Sequence, residues 1–180
     1  AGTGTGTQTS TTTSLAGADR PDDIAAAVRT DLETMFREMQ EICHGILLIR
    51  ECSLRSLDLM MSFGERLNNR LIAAYLQSIG VDANFVDARE MVLTDNTFGG
   101  GMVDFAKTYY NIQMYFNKVW GPKWLGKVAV VTGFVGATAD GITTTLGRNG
   151  SDYTGAIFGA ALDVKDIEIW TDVDGVLSAD

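Results

Sequence analysis

The chain has 180 residues, of which 46% are hydrophobic and 21% charged, and it carries a formal net charge of −9. That length suits one domain with a sizeable buried core, while the acidic balance argues against general nucleic-acid binding, which needs a cationic footprint. A nucleotide ligand is not excluded, because Mg2+ and a few placed cations can hold phosphates locally.

Residues 1–20 open the chain, and within 1–14 threonine, glycine and serine fill every position but Ala1 and Gln8. Such a stretch cannot bury a core and is predicted to be a mobile segment. The alternation of Gly2, Gly4 and Gly6 before a Ser/Thr cluster would also fit a phosphate loop, although no strand precedes it and no lysine lies within it. Pro21, followed by Asp22 and Asp23, predicts a helix start. Ile24, Val28, Leu32, Met35, Phe36, Met39 and Ile42 continue at helical spacing, and Gly45 is expected to break the helix. Cys43 and Cys52 are the only cysteines, expected as buried or partly buried free thiols rather than a disulfide framework. His44 is the only histidine, which gives little support to a histidine metal cluster or a Ser-His-Asp triad.

The stretch from Ile46 to Leu59 is ambiguous between a strand and a helix. Its run Ile46–Ile49 is the longest fully aliphatic one and far too short to span a membrane. No signal-peptide pattern opens the chain, so a cytoplasmic location is expected by elimination. From Met60 to Ile79 the spacing of Phe63, Leu67, Leu71, Ala74, Tyr75 and Ile79 predicts an amphipathic helix ended by Gly80. Val81–Val86 reads as a short strand, Thr97–Gly101 as a glycine-rich turn, and Met102–Val119 as another amphipathic helix. Val128–Thr132 has little alternation, as a strand covered on both faces requires, and Gly133–Gly136 reads as the turn after it. Alternating strand and helix patterns predict an α/β fold, a three-layer αβα sandwich with a mainly parallel central sheet. Residues 21–180 are taken as its single domain.

The most informative segment is Thr143–Asp180. It combines a glycine-rich polar turn, a helix rich in small residues, a predicted β-branched strand at Ile167–Trp170 and an acidic loop. Gly147, Gly150 and the flanking threonines free the backbone to approach a ligand, and Ser151-Asp152 open a helix whose N–H groups point at negative charge. Arg148 adds a cation. A second polar loop, Thr171–Gly175, follows the predicted strand, and two loops at neighbouring strand ends make the ligand crevice of an open α/β sheet. Each feature also has a structural reading: Arg148 as a solvated cation, Ser151-Asp152 as a helix cap, Asp172 and Asp174 as turn formers. Gly155, Ala156, Gly159 and Ala160 are read as small residues that let the helix lie close to the sheet.

Gly147-Arg148-Asn149-Gly150-Ser151-Asp152-Tyr153, followed by Trp170-Thr171-Asp172-Val173-Asp174-Gly175-Val176 and Ala179-Asp180, resembles the aspartate kinases of the amino-acid kinase family. Ser62-Phe63-Gly64-Glu65-Arg66-Leu67 is similar to that family's S-x-G-E-x-L. Val86–Arg89 and Thr94–Asn96 look like family segments too, most like those of bifunctional forms fused to homoserine dehydrogenase. The likeness covers roughly residues 55–180, and it favours a second helix, packed against the first, for the ambiguous stretch Ile46–Leu59.

The resemblance implies transfer of the γ-phosphoryl group of ATP to the β-carboxylate of L-aspartate, with Mg2+, in a homo-oligomeric full-length enzyme of lysine, threonine and methionine biosynthesis. It implies that Arg148 clamps a substrate carboxylate, Ser151 lies beside the substrate, and Glu65 receives the α-ammonium; without it, Glu65 beside Arg66 would read as a surface ion pair. It further implies that Asp152 organises the catalytic centre and that Thr171 and Asp172 contact the nucleotide. The family's K-F-G-G-T-S segment does not occur in these 180 residues. The chain is therefore expected to match the middle of such a catalytic domain and to have little activity alone. The other readings are a non-catalytic nucleotide- or amino-acid-binding module of the same fold, or a kinase of the same superfamily with another acceptor.

Overall fold

The computed structural model describes residues 21–121 and 126–170. Helix α1, Pro21–Ile49, begins with proline at its first position and Asp22 and Asp23 in its first turn, where carboxylates meet the positive end of the helix dipole. It runs through Gly45 rather than breaking there, since one glycine costs a helix only about 1 kcal/mol. The break comes at Arg50, which takes a left-handed φ of 52°. Ser53 then caps α2, Leu54–Ser78, by accepting from the Ser56 amide. The ambiguous 46–59 stretch thus divides between the two helices, and the helix predicted from Met60 starts earlier, at Leu54. Cys43 and Cys52 are free, and exposed rather than buried, because this end of the helical pair projects from the core.

The two helices run antiparallel, tied by Arg70–Asp31 at 2.7 Å and Arg66–Glu38 at 3.6 Å. Ile24 and Val28 of α1 pack on Ala74 of α2. The adjacent Ala73 of α2 packs instead against Ala83 and Val130 of strands β1, Ala83–Val86, and β2, Val128–Val131. These strands pair in parallel, Val86 opposite Val131, but β2 is less covered than its aliphatic run predicts: Val130 is buried while Val128, at its start, is exposed. A short 3-10 turn, Ala88–Glu90, follows β1, and α3, Phe105–Tyr115, starts at the Asp104 cap and continues into a π-helical turn, Phe116–Trp120.

The second sheet is an antiparallel hairpin of β3, Val135–Ala137, and β4, Thr143–Thr145, with Gly136 opposite Thr144. The predicted turn Gly133–Gly136 is therefore shorter, its second half being strand. Helix α4, Gly150–Ala161, closes the described core by burying Ile157, Phe158 and Ala161 against Val86, Val92, Ile112 and Val135. Its small residues behave differently from the sequence expectation. Gly155, Ala156 and Ala160 are exposed, and Gly159 lies close to Ile167 and Val164 rather than to the sheet. Residues 167–170 are irregular rather than a strand. The expected mobile segment 1–20 and the loop 171–175 lie outside the described residues.

Candidate functional site

The site is built where α2 meets β4. The β-branched residues Thr143, Thr144 and Thr145 make a wholly buried strand rather than the flank of a polar ligand loop, and their hydroxyls are consumed internally. Thr143 Oγ1 accepts from Arg89 Nη1 at 3.0 Å, Thr144 Oγ1 pairs with Thr94 Oγ1 at 2.7 Å, and Thr145 Oγ1 donates to Asp58 at 2.8 Å. The chain then leaves β4 into the loop that carries Gly147 and Arg148.

Sequence reasoning missed Asp58. It lies on the second turn of α2, 1% exposed, and it also accepts from the Thr145 amide at 3.0 Å and the Gly99 amide at 2.9 Å. The available signal was spacing: Asp58, Ser62, Glu65 and Asn69 fall on one stripe of a helix. Ser62 is fully buried and donates to the Leu59 carbonyl at 2.7 Å. Glu65 is half-buried and receives Asn69 Nδ2, whose stronger bond, 2.8 Å, goes to the Glu65 carbonyl. Glu65 does not pair with Arg66. Arg66 is buried between Glu38 and Asp87, with its guanidinium 4.7 Å from the Phe63 ring. Burial, and then the neighbouring Arg89 charge, lower its pKa, while Asp87 and Glu38 oppose that shift.

The glycine-rich turn 97–101 abuts the loop after β4. A Cβ on Gly147, where φ is 76°, would sit 3.3 Å from the Gly99 carbonyl, so the two turns meet through backbone alone. Asp95 holds the mouth of the 97–101 turn by accepting from the Met102 and Thr97 amides, each at 3.0 Å. Those backbone donors, Met102 first and then Thr97, hold its carboxyl below the usual range.

Arg148 is exposed, as are Ser151 and Asp152 in the first turn of α4. Ser151-Asp152 is not the helix cap. That position belongs to Asn149, which has a left-handed φ of 59° and makes no side-chain cap bond. The Gly150 N–H donates to the Gly147 carbonyl at 3.1 Å, and the exposed Ser151 and Asp152 follow in the first turn of α4, close in sequence to Arg148. Behind Ser151 stands the β2–β3 turn, where a Cβ on Gly133 would lie 3.0 Å from the Ser151 Cα. Phe134 follows with a φ of 69°. Its amide donates to Thr154 Oγ1 at 3.0 Å, and that hydroxyl donates to the Gly150 carbonyl at 2.7 Å.

The structure thus gathers the Arg148–Asp152 loop, the glycine-rich turn and the Asp58 end of α2, with Glu65 two turns further along the same helix stripe. Thr171 and Asp172 lie outside the described residues. A cavity of about 530 Å³ between α1 and α2, lined by Ile24, Val28, Leu71, Ala74 and Tyr75 among others, contains none of the expected site residues. No described helix is long and apolar enough to cross a membrane.

Known proteins resemble this chain in sequence and in fold. The chain is 39% identical over 150 residues to aspartokinase 1, chloroplastic, of Arabidopsis thaliana, covering 82% of this chain and 26% of that protein. It is 33% identical over 147 residues to a bifunctional aspartokinase/homoserine dehydrogenase of Buchnera aphidicola subsp. Acyrthosiphon pisum, covering 81% of this chain and 17% of that one. The crystal structure of E. coli aspartokinase III in complex with aspartate and ADP superposes with a TM-score of 0.74 at 30% identity, covering 82% of this chain and 32% of that chain. The chain thus spans a third or less of these relatives. The Amino acid kinase family matches residues 2–180, which extends the likeness well upstream of residue 55. On that match, and on the α/β architecture that carries it, the chain belongs to the amino acid kinase family.

Proposed function

We propose that this chain is part of an ATP-dependent aspartate kinase, a transferase that moves the γ-phosphoryl group of ATP to the β-carboxylate of L-aspartate. The observation that supports the reading is the chain of contacts joining the loop that bears Arg148 to the helix that bears Glu65: Gly147 lies against the Gly99 carbonyl, and the Gly99 and Thr145 amides both donate to Asp58 of α2. The nucleophile is already ionised at neutral pH, so no general base is required. A carboxylate oxygen attacks the γ-phosphorus, the bond to the β,γ-bridging oxygen breaks, and ADP leaves with the electron pair. The barrier is the approach of an anion to a polyanion, so catalysis rests on positioning and charge neutralisation.

In this reading Arg148 meets a substrate carboxylate through its two-pronged guanidinium. Ser151 lies beside that substrate, Glu65 receives the α-ammonium, and Asp152 orients groups of the reacting centre. Thr171 and Asp172 contact the nucleotide. Among the described residues no group of three or more His, Cys, Asp or Glu side chains could hold a metal ion. Mg2+ would come with the phosphates of the nucleotide, as is usual for that ion. Assembly as a homo-oligomer of the full-length protein and a cytoplasmic location belong to the same proposal, beside relatives described as chloroplastic.

The test is isothermal titration with L-aspartate and with ATP, together with a hydroxamate assay that traps the acyl phosphate formed from ATP, Mg2+ and aspartate in the full-length protein. Saturable L-aspartate binding and hydroxamate formation support the reading. Absence of both, or preference for another acceptor, refutes it.

A further inference from the structure

Asp58 is a buried carboxylate with no Lys or Arg paired to it among the described residues, and its neutralising partners are all hydrogen-bond donors. The Gly99 amide reaches both of its oxygens, at 3.1 and 2.9 Å, the Thr145 amide reaches Oδ2 at 3.0 Å, and the Thr145 hydroxyl reaches Oδ1 at 2.8 Å. Burying a charge is expensive, and apolar residues of similar volume commonly serve stability better. What a buried, multiply bonded carboxylate supplies is a defined geometry between the segments that donate to it.

The segments joined here are those of the candidate site. Seven residues along α2 from Asp58 comes Glu65, about 10 Å along the axis on nearly the same face. Three residues beyond Thr145 comes Arg148. Gly99 belongs to the turn against which Gly147 packs. One carboxylate therefore fixes α2 to the strand that launches Arg148, and fixes the turn that backs the same loop.

We propose that Asp58 is a positioning residue: through Gly99 and Thr145 it sets the separation between Glu65 and Arg148, so that the ammonium and a carboxylate of one amino acid are met at the same time. This rests on the assignment of an amino-acid substrate to the site. It goes beyond that assignment by placing selectivity for the length and both charges of the ligand in a residue that touches neither.

The experiment compares Asp58→Asn, Asp58→Ala and Thr145→Val in the full chain, titrating L-aspartate and succinate, which keeps the carboxylates and lacks the ammonium. In Asp58→Asn the amide oxygen still accepts from the Gly99 and Thr145 N–H groups while its NH2 donates to the Thr145 hydroxyl, so affinity should stay within about threefold of wild type. Asp58→Ala should weaken L-aspartate by roughly tenfold or more and succinate much less, which collapses the preference between them. A residue serving only stability would lower the melting temperature and leave that preference unchanged in the folded protein. An unchanged preference in folded Asp58→Ala, or in Thr145→Val where the alanine variant fails to fold, overturns the proposal.

If wild type binds no L-aspartate, the substrate assignment falls, and amide NMR then decides the role of Asp58 separately. Loss of order at Gly147–Asn149 in Asp58→Ala relative to Asp58→Asn sustains the positioning; equal order overturns it.

Discussion

Replacing Thr154 by valine removes one oxygen from the junction that holds Ser151 in place. The Thr154 side chain is buried, 2% exposed, and its hydroxyl accepts from the Phe134 amide while donating to the Gly150 carbonyl. Valine has nearly the same volume, so no cavity opens. The Phe134 N–H, however, is left without its acceptor on a backbone already at a φ of 69°. An unsatisfied buried donor costs about 1–3 kcal/mol. The Gly150 carbonyl loses less, because it keeps its place in the ladder of α4. A total near 2 kcal/mol corresponds to a fall in melting temperature of roughly 4–8 °C for a domain of this size. Thr154→Ser keeps the hydroxyl and gives up only a methyl group, worth about 1 kcal/mol. The assay is urea denaturation of wild type, Thr154→Val and Thr154→Ser, compared at constant slope. Valine should be the less stable of the two, and in the full-length protein it should also weaken L-aspartate binding, because the turn behind Ser151 loosens. A valine variant as stable as wild type would refute the argument that this hydroxyl anchors the turn.

Arg148→Ala in the full-length protein should raise the Kd for L-aspartate by roughly two orders of magnitude, the loss of a charge-assisted contact of a few kcal/mol, and change ATP affinity far less; equal losses for both ligands would argue against a substrate clamp. Gly136→Ala should destabilise by about 1–3 kcal/mol, because its Cβ would meet the Val92 carbonyl at 2.9 Å. Gly155→Ala, with nothing within 4 Å of its Cβ, should instead stabilise α4 by about 0.5–1 kcal/mol, and the opposite shifts are read by thermal denaturation. Acidification should loosen the 97–101 turn. Backbone donors from Met102 and Thr97 depress the Asp95 pKa in the folded state, so its contribution is complete above the unfolded value of about 3.9 and is lost as the pH falls through the folded value. Amide exchange at Thr97 and Met102 should therefore quicken, relative to a distant reference amide, once the pH drops below about 4; exchange that keeps step with that reference would count against it.

The α/β class, the presence of strands near residues 81–86 and 128–132 and the family were legible from the amino-acid sequence, because these rest on local signals. A run such as Val128–Val131 is rich in β-branched residues that favour a strand, and Gly147–Tyr153 with Ser62–Leu67 is a pattern of residue types at fixed spacing. Helix bounds were less legible. Gly45 carries a breaking signal that tertiary context overrides, and Arg50, with none, takes the left-handed turn. The threonines of β4 were misread for a related reason: a hydroxyl looks polar in sequence, yet Thr143, Thr144 and Thr145 are buried, each satisfied by a side chain distant in the chain. Only the tertiary structure could single out Asp58. A lone aspartate four residues before Ser62 reads as an exposed helix residue until Gly99 and Thr145, 41 and 87 residues away, arrive to donate to it. Hydrogen-bond satisfaction of a buried charge is a property of three segments at once, and no local window contains all three.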